Sequence, residues 1–149
     1  MNQRKIDLMI PIALQTLLEM PIEKKGIKPA DYNINKVYVG YMASFGPAVV
    51  QSGIAKTLAF YSKAKGESEG DRKLLLNFIM LVLIKTYPQY EKYSNNDLLY
   101  LYEQETGRPN ITTNNRLALT DKILEAAIAC KLAMNTYHSQ EDNTSAGGE

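Results

Sequence analysis

The sequence predicts an all-α protein, a single compact bundle of about six helices. Three observations carry that prediction. Apolar residues recur at i, i+3, i+4 and i+7 along most of the chain, the period of one helical face. No run of about four to eight alternating apolar and polar residues marks a strand, and no internal repeat or heptad array is visible. The chain has 149 residues, 45% of them hydrophobic, enough for one domain with its own core. That domain is expected to cover residues 1–138. Residues 139–149, rich in Ser, Asn and Gly with no apolar side chain larger than Ala, read as a disordered polar tail.

The elements follow in order. Ile6, Met9, Ile10, Ala13, Leu14, Leu17 and Leu18 form one stripe, so residues 4–20 read as an amphipathic helix. Pro11 lies off that stripe and is expected to kink the helix or to mark its start. Residues 23–31, with Lys24, Lys25, Gly26, Lys28 and Pro29, read as a loop. Residues 38–50 resume an apolar helical pattern, interrupted at Gly40 and at Gly46-Pro47. Ser52-Gly53 breaks the run. Ile54, Leu58 and Tyr61 then fall at i, i+4 and i+7 and predict a helix over about residues 53–64.

Gly66-Glu67-Ser68-Glu69-Gly70 reads as a flexible polar turn, and residues 71–86 as a helix apolar almost all round, buried on most sides. Tyr87-Pro88 ends it. Asn95-Asn96-Asp97 offers side-chain acceptors to the free amides of a helix start, predicting a short helix to about Glu105. After a loop at 106–110, residues 112–137 carry two apolar stripes. One runs through Leu119, Ile123, Ala126, Cys130, Ala133 and Tyr137, the other through Leu117, Leu124, Ile128 and Leu132. Such a helix packs on two sides, inside the bundle or against another protein.

Composition narrows the function classes. Lys and Arg number 17 and Asp and Glu 16, but residues 1–138 alone hold 17 basic against 13 acidic side chains, a net charge of +4. That excess is mild beside the balance of a dedicated nucleic-acid binder. The lone Cys130 rules out a disulfide framework and points to a reducing, intracellular setting, the cytoplasm. The N-terminus, with Arg4 and Lys5 before an apolar pattern broken at Asp7, Gln15 and Glu19, does not read as a signal peptide. The most hydrophobic run, residues 74–84, falls short of the roughly 18 residues of a membrane span.

Catalytic chemistry is missing. The one histidine, His138, is out of helical phase with Cys130 and has no neighbouring acid, so no Cys-His nucleophile pair is expected. One Cys and one His do not make a zinc site. Gly66 and Gly70 lack the Lys-Ser/Thr that completes a phosphate loop. Glu67, Glu69 and Asp71 are better explained as a solvated turn than as a weak cation site. The sequence argues for a binding protein rather than an enzyme, with no catalytic residue, metal or cofactor.

Basic and aromatic side chains remain. Lys56 and Lys63 lie nearly opposite the buried face set by Ile54, Leu58 and Tyr61, roughly 10 Å apart along the axis, a span that could meet backbone phosphates. By spacing alone the plainer reading, solubilising lysines on an outer face, is the favoured one. Lys65, Arg72 and Lys73 flank the Gly66 turn, and Arg116, Lys122 and Lys131 lie between the stripes of the last helix. Lys131 sits in an apolar stretch, so it either snorkels outward or meets an anionic partner. Tyr87, Tyr90, Tyr93, Tyr100 and Tyr102 could stack bases, but the commoner role of tyrosine is in the core with its hydroxyl at the surface.

Residues 38–61 carry a further signal. Tyr38, the Gly46-Pro47 break, the Gly53-Ile54 step and Leu58-Ala59-Phe60 resemble the signature of the small subunit of the type III-B CRISPR effector, the Cmr complex. Leu119-Thr120 and the stretch Ile128-Ala129-Cys130-Lys131-Leu132-Ala133 are similar to that family's closing helix. The chain departs from it with Ile54 where Leu is usual, Ser52 where Asn or another small residue is common, and Gly46-Pro47 where Leu-Pro is frequent.

The resemblance implies a non-catalytic helical subunit in antiviral defence, stacked in a short filament along guide and target RNA. Its partners would be the backbone and large subunits, neighbouring copies of itself and the RNA backbone, with no membrane and no cofactor. It raises the weight on Lys56 and Lys63, with Lys65, Arg72, Lys73, Arg116, Lys122 and Lys131 as further candidates for RNA contact. Two other readings stay open. One is the small subunit of the type III-A effector; the other is a helical adaptor that binds only proteins, through Leu117, Leu124, Ile128 and Leu132.

Overall fold

In the computed structural model, which describes residues 1–20, 29, 33–63 and 72–140, helix formation begins at Asn2. Its side-chain oxygen accepts from the amides of Arg4 at 3.0 Å and Lys5 at 3.3 Å, capping helix α1 (Gln3–Glu19). Its own N–H donates to Glu125 Oε2 at 2.8 Å, which ties the start of α1 to the last helix. Pro11 lies inside α1 at the surface, so it does not start the helix. Ile6, Met9, Ala13 and Leu17 are buried; Leu18 ends the predicted stripe half exposed.

Asn35 closes a three-residue strand, β1 (Asn33–Asn35), and its side chain accepts from Val37 N at 2.9 Å to cap α2 (Lys36–Ser52). The predicted interruptions at Gly40 and Gly46-Pro47 do not break this helix. A proline removes one hydrogen bond, and buried Tyr38, Met42, Phe45 and Val49 hold the helix to the core on both sides of Pro47. Gly53 separates α2 from α3 (Ile54–Ser62).

Helix α4 (Arg72–Thr86) buries Leu75, Leu76, Phe78, Ile79, Met80, Val82, Leu83 and Ile84. As its nearly all-round apolar pattern requires, it packs against α1, α2 and α3 and the two helices that follow, α5 (Leu98–Thr106) and α6 (Thr113–Met134). Lys85 links it to α1, donating to Thr16 Oγ1 at 3.0 Å and pairing with Glu19 at 2.8 Å. Tyr87 ends the helix where predicted, but the chain then forms a 3-10 helix, Pro88–Tyr93, that no sequence signal announces. Asp97 caps α5 through Tyr100 N at 2.8 Å, as its residue type foretold. Six α-helices among the described residues bear out the all-α bundle.

One difference from expectation concerns the end of the chain. A second short strand, β2 (His138–Gln140), pairs in parallel with β1, Ser139 opposite Ile34 and Gln140 opposite Asn35. Residues 139 and 140, assigned from sequence to the polar tail, are therefore in a strand; three residues are too few for a period of two to show. Residues 141–149 lie outside the described residues, as do Lys65, the 66–70 turn, Asp71 and all of the 23–31 loop except Pro29.

Of the two stripes on α6, one is core: Leu119, Ile123, Ala126, Cys130 and Ala133 are buried. The other stays at the surface, with Leu117 58% and Leu132 39% exposed and Leu124 and Ile128 partly buried. Among the described residues no helix is long and apolar enough to cross a membrane.

Candidate nucleic-acid interface

The geometry of the α2–α3 corner comes from Gly53, whose φ of +91° is one that side-chain-bearing residues rarely adopt. Its N–H donates to Val49 O at 2.8 Å, ending α2, and its carbonyl accepts from Thr57 N at 3.2 Å and Thr57 Oγ1 at 2.9 Å, starting α3. Tyr61 then locks α3 in rotation, its hydroxyl donating to Tyr41 O at 2.8 Å and its ring meeting Phe45 edge-on at 5.4 Å. Burial pushes the Tyr61 phenol up, favouring the neutral form that donates this bond.

With Ile54, Thr57, Leu58 and Tyr61 buried, Lys56 and Lys63 face outward and are exposed, as the spacing predicts. No described residue gives either lysine an ion pair, hydrogen bond or ring contact.

Arg72 is engaged within the protein. Its guanidinium lies over the Tyr41 ring at 4.7 Å and the Phe60 ring at 4.8 Å, joining the start of α4 to α2 and α3. It is a half-buried cation–π contact, adjacent to the lysine face and part of its support. Lys73 is exposed one residue further on and has an interaction of its own.

The remaining candidates lie on α6, a helix packed on α1, α2 and α4. Arg116 and Lys131 are exposed, so Lys131 does reach solvent from its apolar stretch. Lys122 is half-buried. Its ammonium lies 5.1 Å from the Tyr87 ring centroid and 5.8 Å from that of Tyr90, and it donates to the Tyr90 hydroxyl at 3.5 Å. Lys5, absent from the sequence-based candidates, approaches the same Tyr87 from α1, at 5.1 Å from the ring and 3.4 Å from the hydroxyl. The two are far apart in sequence, and no local signal joins them.

Tyr87, Tyr90 and Tyr93 are buried, so the core reading of these tyrosines holds. Tyr93 donates to Glu105 at 2.6 Å, and Arg108 grips the same carboxylate with contacts of 2.8 and 2.9 Å. Burial, then Glu105, raises the phenols of both Tyr90 and Tyr93.

Elsewhere, Cys130 is buried, and burial pushes its thiol well above the range of a reactive thiolate. Among the described residues no three His, Cys, Asp or Glu side chains come together as a metal site.

One family model matches this chain, described as CRISPR-associated protein (Cas_Cmr5), over residues 22–135. No curated protein and no solved structure matches it. The matched stretch contains both segments that carry the resemblance, residues 38–61 with the α2–α3 corner and most of α6. The chain belongs to the Cas_Cmr5 family of CRISPR-associated proteins, the small subunits of the type III-B Cmr complex.

Proposed function

We propose that this protein is a non-catalytic, cytoplasmic subunit of the RNA-guided Cmr effector that holds the RNA backbone on the outer face of α3. The observation that carries this reading is the pair Lys56, on α3, and Lys63, at its C-cap, both exposed and without a carboxylate partner among the described residues, on a helix whose rotation is fixed from below. Two such charges bind phosphates without reading bases, the contact that a subunit following a guide of any sequence needs. Arg116 and Lys131 are exposed on α6 and would add to the same field where the RNA passes them.

The second stripe of α6 supplies the other requirement of an assembled subunit. Leu117 and Leu132 are exposed, and with Leu124 and Ile128 they offer an apolar strip to a backbone subunit or to a neighbouring copy. That strip also favours the adaptor reading, in which protein contact is the whole function. Co-expression with the other subunits and a guide RNA, followed by purification through a different subunit, separates the two. The protein is expected to co-purify, and Lys56→Glu/Lys63→Glu to co-purify while target RNA retention falls at least about tenfold. Full retention by the charge-reversed variant would leave the adaptor reading standing.

A further inference from the structure

The outer face of α3 holds a third member. Lys56 and Phe60 lie on α3 and Lys63 at its C-cap, at i, i+4 and i+7, a spacing that in helical geometry spans about 60° around the axis. Phe60 is 51% exposed. Among the described residues only one other aromatic side chain is comparably exposed, Tyr100 at 41%, and the helix that carries it, Leu98–Thr106, contains no lysine or arginine.

Phe60 is also held in place. Arg72 lies over its ring at 4.8 Å and Tyr61 meets it edge-on at 5.8 Å, with an interplanar angle of 71°. Arg72 is anchored in turn on Tyr41 at 4.7 Å. A ring kept half in water, held by Arg72 and Tyr61 and set between two cations that have no ion pair among the described residues, has the composition of a single-strand binding surface: aromatic stacking flanked by phosphate contacts.

We propose that Phe60 is a stacking platform for one unpaired RNA base, held between the phosphate contacts of Lys56 and Lys63. The inference rests on the RNA reading of α3 and adds to it the state of the nucleotide, because a base within a continuous duplex is already stacked and has no face to offer. Stacking is tolerant of base identity, in keeping with a subunit that follows any guide.

The chain contains no tryptophan, so Phe60→Trp introduces a single fluorescent reporter at the platform. Titrating that variant with a short oligouridylate at low salt is expected to quench the fluorescence, and a fully paired duplex to quench it much less. Phe60→Leu, which keeps apolar bulk against Arg72, is expected to weaken oligouridylate binding about fivefold or more at every salt concentration, with the salt slope unchanged, because stacking releases no counterions. Absence of quenching, or wild-type affinity in Phe60→Leu, overturns the platform. If Lys56→Glu/Lys63→Glu still loses RNA in the assembled complex, the backbone reading survives that failure; if it does not, both fall. Loss of subunit co-purification in Phe60→Leu with RNA affinity intact would instead make Phe60 a protein contact and overturn the platform.

Discussion

Two lysine-bearing regions of this molecule use the same residue types to opposite ends. At the seam where α1, the 3-10 helix and α6 meet, Lys5 and Lys122 converge on the Tyr87 ring, Lys5 also donating to the Tyr87 hydroxyl and Lys122 to that of Tyr90. On the outer face of α3, Lys56 and Lys63 reach no described side chain. The aromatic residues differ in the same way, since Tyr87 and Tyr90 are buried and Phe60 is half exposed. Cations at the seam are spent on joining helices, worth about 0.5–2 kcal/mol each as cation–π contacts depending on desolvation. Those on α3 contribute nothing to the fold that the structure records. Proximity of lysine and aromatic residues in a sequence does not distinguish these cases; the burial of the ring does.

The largest way to break the contrast is at Gly53. Gly53→Ala has open space for its Cβ but must adopt a φ of +91°, a strain of roughly 1–3 kcal/mol. Chemical denaturation should show that loss. Relief of the strain by rotation of α3 should also reduce RNA retention, although no lysine has been changed. A smaller effect sharpens the other side. The Tyr90 phenol is raised by burial first and by Glu105 and Tyr87 next, so the folded protein favours its neutral form. The resulting stability is fully present below the ordinary tyrosine pKa of about 10 and is lost as pH rises beyond it. Tyr90→Phe should flatten that alkaline limb in denaturation at graded pH, with RNA binding at neutral pH unchanged.

Much of this was legible beforehand, for physical reasons that differ by element. The rotation of α3 followed from Ile54, Leu58 and Tyr61 alone, because a period of 3.6 residues assigns every other position to a side. Asp97 announced α5 because capping is a local bond. What was missed is non-local. Gly46-Pro47 looks like a break until Phe45 and Val49 are seen buried on either side of it. The union of Lys5 with Lys122 depends on α1 lying along α6. Nothing in the local sequence reveals that Arg72 lies over Tyr41 and Phe60. Phe60 was the exception, since its i+4 and i+7 spacing with Lys56 and Lys63 lay in plain view.

One measurement tests the division of labour most directly: the salt dependence of target RNA retention in the purified effector, compared between Lys56→Met/Lys63→Met and Lys5→Met/Lys122→Met. Removing one cation from an RNA phosphate should reduce the slope of log affinity against log salt by about 0.7–0.9. The account predicts that the α3 pair flattens the slope by about 1.4–1.8, while the seam pair keeps the wild-type slope and loses stability instead. Equal flattening by both pairs, or flattening by the seam pair alone, would contradict it.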